Sequence, residues 1–256
     1  TLNRQVRYID GFGVEIEADP RHAELIVAEL GMGEAKAVTT PGVKEAEPVG
    51  AEAEPVTDPA ESTAYRGISA RGLYLSIDRP EMKFAVKELA RKMAKPTQAG
   101  MRSLKRLGRH LRGRPRLVAV SRLQGAAAGE RDPDYLYIPV DSNWADCRET
   151  RRSTSGGALV HGRHVLATWS VTQSIQAPSS GEEEFYAVLR GAVEALGLAA
   201  AAEEMGFPFR KAPRVGSDSS AARGTAGRHG VGKLKHVDLK CPWIQAALKQ
   251  GRLGLV

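Results

Sequence analysis

At 256 residues the chain can bury one large core or two small ones, and its 37 Lys and Arg against 30 Asp and Glu leave a net charge of +7 and a pI near 9.5. That balance suits a partner of a polyanion, nucleic acid before others, against the plainer reading of a solvated basic exterior. Two cysteines, Cys147 and Cys241, exclude a disulfide framework and a zinc knuckle and make a reducing compartment the default. The longest apolar run, Ala192 to Ala202, is broken by Glu194 and followed by Glu203 and Glu204, so no bilayer span is expected.

Residues 1–33 open in a polar segment, which reads as a piece of something longer, and carry a strand-like alternation through Val6, Tyr8, Ile9, Val14 and Ile16. A short helix follows around His22 to Leu30, ended by Gly31 and Gly33. Residues 34–62 hold seven acidic side chains against Lys36 and Lys44 with little to bury, and read as an acidic linker. The charge then reverses: residues 64–131 hold seventeen Lys or Arg and four Asp or Glu. Residues 63–131 read as a basic helical segment. Tyr65 to Ser76 is compact and apolar, Asp78-Arg79-Pro80 starts a second helix with stripe Val86, Leu89 and Met93, and Pro96 stops it. A third helix spaces Met101, Leu104, Leu107 and Leu111 by threes and fours. Lys83, Lys87, Arg102, Lys105, Arg106, Arg109 and Arg112 are the candidate phosphate track, against the alternative of a solvated helix face.

From residue 132 the texture becomes α/β. Strands are expected at Tyr135 to Asp141, Gly156 to Val160 and Val165 to Gln173, with a hairpin turn at His161-Gly162-Arg163. Ser179 and Ser180 cap a helix reaching about Leu196, with Glu182 to Glu184 in its positive first turn. A fourth strand at Arg214 to Asp218, a short helix to Arg228, an amphipathic stripe through Val237, Cys241, Ile244 and Leu248, and a fifth strand opening at Leu253 complete the pattern. Trp144 and Trp169 are expected in the core.

Hydrolysis of a phosphodiester by two metal ions needs several carboxylates converging from different elements. Asp141, Glu184 and Asp218 meet that need if the strands lie side by side and the helix crosses one face. Singly, an Asp at a strand end is a turn residue or cap, and a Glu in a first helical turn serves the helix dipole.

Five strings occur in order: Asp141-Ser142-Asn143-Trp144-Ala145, Arg151-Arg152-Ser153-Thr154-Ser155-Gly156, Ser179-Ser180-Gly181-Glu182-Glu183-Glu184, Asp218-Ser219-Ser220-Ala221 and Lys235-His236-Val237-Asp238. Upstream stand Tyr65-Arg66-Gly67-Ile68, Arg79-Pro80, Pro96-Thr97 and Lys105-Arg106-Leu107. The chain thereby resembles the carboxy-terminal part of a copia-type LTR retrotransposon Pol polyprotein. The resemblance implies the end of a reverse transcriptase (1–33), the linker and connection segment, and a ribonuclease-H-like domain (132–256) with a mixed sheet flanked by helices. It implies an endoribonuclease that hydrolyses the RNA strand of RNA/DNA hybrids, with Asp141, Glu184 and Asp218 as catalytic ligands of two Mg2+ or Mn2+ ions. Glu184 is chosen over Glu182 as the second glutamate of the family's pair. A fourth aspartate would follow the fifth strand, beyond Val256. His229 and Asp238 are accessory candidates, for product release and as a motif residue or helix cap. The rest of the Pol polyprotein is the implied protein partner, no membrane is expected, and the implied location is a cytoplasmic virus-like particle or the nucleus. The paired-aspartate polymerase motif does not occur in the sequence, so DNA synthesis is not expected of this segment. Asn143 and Cys147 stand where the family has acids, Gly157 where it has an aromatic and Ser219 where it has Asn. These departures also fit a decayed or recruited fragment that binds nucleic acid without cutting it. A plain α/β interaction module is the third reading.

Overall fold

The computed structural model describes residues 4–43, 54–123, 135–147, 149–228 and 240–256. They fall into two compact units, Thr1–Leu123 and Gln124–Val256, where four segments are expected from the sequence.

In the first unit β1 (Gln5–Ile9) and β2 (Gly13–Glu17) form an antiparallel hairpin, and β3 (Val118–Arg122) pairs with the other edge of β2. β3 corrects the all-helical expectation for the basic segment. Val118, Ala119 and Val120 supply a short β-prone run, and the strand it pairs with lies at the opposite end of the unit's sequence. Arg116 fixes this return by a two-pronged bond to the buried Glu17 carboxylate, at 2.6 and 2.7 Å, which holds that carboxyl below its ordinary pKa.

Among the described residues of this unit four helices pack on one another: α1 (Pro20–Glu29), α2 (Pro59–Leu75), α3 (Lys83–Arg91, after a 3-10 turn at Pro80–Met82) and α4 (Gln98–Gly113). Asp19, Asp58 and Thr97 cap α1, α2 and α4 through side-chain oxygens. Leu104, Leu107 and Leu111 of α4 are fully buried with Ile26, Tyr65, Met82 and Val86, as the spacing anticipates. α2 begins inside the expected linker. Val56 is buried in the same core and its N–H donates to the Pro96 carbonyl at 2.9 Å, so the stretch before residue 62 does bury something.

Residues 33–40 are also tied down. Arg112 donates to the Gly33 and Ala35 carbonyls at 2.5 Å each, Arg109 to the Lys36 carbonyl at 2.7 Å and Arg106 to the Thr40 hydroxyl at 2.7 Å. Hydrogen bonds from a charged donor are stronger than neutral ones, though exposure discounts them. Arg112→Ala is expected to cost about 1–2 kcal/mol and to speed amide hydrogen exchange across residues 33–40 while leaving α4 protected. Unchanged exchange in that segment contradicts the staple.

Among its described residues the second unit holds a five-stranded mixed sheet and three helices. β4 (Leu136–Asn143), β5 (Thr154–His161) and β6 (His164–Thr172) are antiparallel neighbours, and β7 (Arg214–Gly216) and β8 (Gly254–Leu255) add parallel on the far side of β4, giving the order β6-β5-β4-β7-β8. The connection from β6 to β7 carries α5 (Ser180–Glu204). α6 (Ser220–Gly227) and α7 (Lys240–Lys249) separate β7 from β8. This is the mixed sheet flanked by helices that the sequence leads one to expect.

α5 runs eight residues past its expected end near Leu196, because Gly197 interrupts the apolar run without stopping the helix and an Ala-rich stretch continues it. By length and composition alone α5 is also apolar enough to cross a bilayer. Its Phe185, Val188, Ala192 and Ala195 are fully buried in the cluster that holds Leu136, Ile138 and Val215, as suits a core helix. A Cβ added at Gly191 would meet Val140 Cγ1 at 2.6 Å and Ile138 Cγ2 at 3.2 Å, so the absent side chain sets how closely helix and sheet approach.

Candidate active site and metal centre

The parallel pairing of β4 with β7 sets Tyr137 beside Arg214, Ile138 beside Val215 and Pro139 beside Gly216. Carried two residues further, the register sets Asp141 next to Asp218. β7 ends at Gly216, and Ser219 then caps α6 by accepting from the Ala222 N–H, so Asp218 sits at the turn where chain leaves sheet. Ser179 caps α5 by accepting from Glu182 N–H at 3.3 Å. Glu182 and Glu183 are buried, and Glu184 is half-buried.

One carboxylate oxygen from each of Asp141, Glu184 and Asp218 lies within 4.8 Å of the other two. The structure thus brings together the three carboxylates singled out from the sequence, with Glu184 rather than Glu182 in the cluster. Asp141 and Asp218 are exposed and line a cleft of about 380 Å³ with Tyr137, Pro139 and Ser217. Burial pushes the Glu184 carboxyl above its ordinary pKa, and the negative charges of Asp141 and Asp218 push the same way. Its Oε2 is buried without a hydrogen-bond partner among the described residues. Such a set suits a divalent cation: the oxygens are hard donors, and a positive ion would offset their repulsion and pair the orphaned atom.

Behind the cluster lies a polar layer that sequence reasoning missed. Ser153, Ser155, Gln173 and Glu183 are all buried. Ser153 Oγ accepts from the Ala145 N–H at 3.0 Å, and the Gln173 N–H donates to the Ser153 carbonyl at 2.8 Å. Burial pushes the Glu183 carboxyl up to about 7, with a hydrogen bond from Ser153 opposing the shift. The available signal was the Ser-Thr-Ser run at the start of a strand, where apolar residues would otherwise face the core.

A carboxyl whose pKa is raised on folding is bound to its proton more tightly in the native chain. Its favourable contribution is complete below about 4.5 and is lost as pH rises through about 7. In metal-free buffer Glu183→Gln is therefore expected to stabilise the chain at pH 8 by on the order of 1 kcal/mol after screening, and to change little at pH 5. Urea unfolding at the two pH values measures this, and equal effects at both would contradict the assignment.

The seven track residues have varied surroundings. Arg102 and Lys105 are exposed on α4, while Arg106, Arg109 and Arg112 direct donors to residues 33–40. Lys83 is half-buried, and burial lowers its pKa against the pull of Asp78. Lys87 pairs with Glu88 at 2.8 Å and lies over the Phe84 ring. His229 and Asp238 lie outside the described residues, as does Val237 of the expected stripe. Trp144 corrects the core expectation: it is 53% exposed, with its indole N–H donating to the Ala177 carbonyl at 3.3 Å, because the chain leaves the sheet at Asn143. Trp169 packs against the core as expected.

No family model matches the chain. It is 27% identical over 232 residues to the retrovirus-related Pol polyprotein from transposon RE1 of Arabidopsis thaliana, covering 90% of this chain and 15% of that protein. The polyprotein from transposon RE2 of the same plant is 27% identical over 195 residues, covering 76% and 13%. An uncharacterised mitochondrial protein of Arabidopsis thaliana is 28% identical over 191 residues, covering 71% and 75%. Among solved structures, a foamy viral protease-reverse transcriptase in complex with an RNA/DNA hybrid aligns with a TM-score of 0.48 and 10% identity, covering 98% of this chain and 28% of that one. The chain spans about 15% of the longer curated relatives. With its motifs in that order, the chain is similar along most of its length to the retrovirus-related Pol polyproteins of transposons.

Proposed function

We propose that the second unit is a ribonuclease H that hydrolyses the RNA strand of RNA/DNA hybrids by a two-metal mechanism, within a retroelement reverse transcriptase. The convergence of Asp141, Glu184 and Asp218 within 4.8 Å carries this reading. The three carboxylates would hold two Mg2+ or Mn2+ ions. Bound there, the ions would supply Lewis-acid stabilisation of the phosphodiester's developing charge and an activated water. Asp141 and Asp218 face solvent and are open to an incoming phosphate, while Glu184 is braced from behind by the buried layer. Arg102 and Lys105, exposed on α4, suit phosphate contacts that read the shape of a hybrid without reading bases. The rest of a Pol polyprotein is the natural protein partner, and a cytoplasmic particle or the nucleus the natural setting.

The test is Mg2+-dependent cleavage of a labelled RNA/DNA hybrid by this chain and by one extended past Val256. RNA-strand cutting that needs the metal and is lost in Asp218→Asn supports the proposal. Salt-sensitive hybrid binding without turnover in both chains would replace it with a binding role.

A further inference from the structure

Gln173, just past the end of β6, is buried, and its side-chain amide bridges two elements. Nε2 donates to Ser155 Oγ on β5 at 2.9 Å and to the Glu183 carbonyl oxygen in the first turn of α5 at 2.9 Å. A carbonyl oxygen only accepts, so the amide nitrogen must face it and the flip of the side chain is settled. The Glu183 carbonyl belongs to the planar peptide that contains the Glu184 nitrogen and ends at the Glu184 Cα. Fixing that plane fixes the base of the Glu184 side chain. First turns of helices fray, and this one is anchored to the sheet by a buried hydrogen bond rather than left to its cap.

We propose that Gln173 is a positioning residue for the carboxylate centre: through the Glu183–Glu184 peptide it holds Glu184 at the distance from Asp141 and Asp218 that a shared cation requires. The inference rests on the metal-centre reading above and assigns a further residue to it. Gln173 needs no contact with metal or substrate to act. Groups that orient ligands from behind usually matter to metal affinity by ten- to a hundredfold when removed, roughly the range expected here.

The test is Mn2+ binding to the full 256-residue chain, followed by calorimetry and by water-proton relaxation, without substrate. Gln173→Leu is expected to weaken Mn2+ binding about tenfold, and Ser155→Ala, which frees the other end of the amide, to weaken it less. In a Glu184→Gln background Gln173→Leu is expected to add no further loss, whereas plain loosening of the fold would still add its own. Wild-type affinity in Gln173→Leu, or an undiminished effect in the Glu184→Gln background, overturns the positioning role while Asp141→Asn still abolishes binding. If Gln173→Leu does not fold, Ser155→Ala decides, and unchanged Mn2+ affinity there counts against the proposal. A wild-type chain that binds no Mn2+ overturns the underlying metal reading as well.

Discussion

If the proposed metal centre is correct, replacing Asp141 by Asn is expected to lower Mg2+-dependent cleavage of an RNA/DNA hybrid by about a thousandfold or more, with the variant still folding. The magnitude follows from the several kcal/mol of transition-state stabilisation that a bound metal supplies, at about 1.4 kcal/mol per factor of ten. The folding half follows from the surroundings of Asp141, which is exposed and whose charge raises the pKa of Glu184. Removing one of three mutually repelling carboxylates costs no buried contact and relieves strain in the metal-free chain. Stability without metal is therefore expected to equal or exceed wild type, and the stabilisation by added Mg2+ to disappear. Hybrid cleavage rates and thermal melts with and without Mg2+ check both halves. Cleavage within tenfold of wild type would remove Asp141 from the chemistry.

Gly157→Ala is expected to destabilise the second unit by at least about 3 kcal/mol, the upper part of the usual range for overpacking. Gly157 lies opposite Trp169 across the β5–β6 pair, and the indole lies over the glycine. A Cβ there would overlap Trp169 Cζ2 and stand 2.6 Å from Cε2 and 2.7 Å from Cη2, nearer than real Cβ contacts come. Trp169 packs against the core beneath α5, so it can move aside only by giving up burial. The position where the family resemblance has an aromatic is thus filled here from the neighbouring strand. In the double variant Gly157→Ala, Trp169→Ala the two losses are expected to fall well short of additive, because the ring that clashes is gone. Urea unfolding of the four proteins measures the coupling, and full additivity rules out the overlap as the cause.

Periodicity made the cores legible. Leu104, Leu107 and Leu111 recur at helical spacing and are buried as that spacing anticipates, and β4 to β6 lie close to the strand-like runs expected of them. The ordered strings made the carboxylates legible, since an isolated Asp at a strand end carries little information. What escaped depends on partners distant in the chain or on backbone atoms. β3 exists because β2 offers an unpaired edge, a fact of topology that no window of sequence around Val118 contains. The segment 33–40 looked like linker because the arginines of α4 hold it mainly by carbonyl groups, which every residue has. Exposure of Trp144 was missed because apolarity argues for burial, whereas the chain leaves the sheet at that residue. Gln173 reads as the end of a strand and Glu183 as part of a helix's acidic first turn, and neither reading foretells burial. Their burial is sustained by one another's neighbours, Ser153 and Ser155, across three elements.

Anomalous diffraction from crystals of this chain equilibrated with Mn2+ tests the central claim most directly. Density peaks are expected with ligand oxygens from Asp141, Glu184 and Asp218 at about 2.1–2.3 Å. Peaks confined to other sites at saturating Mn2+, with the three carboxylates uncoordinated, would contradict it.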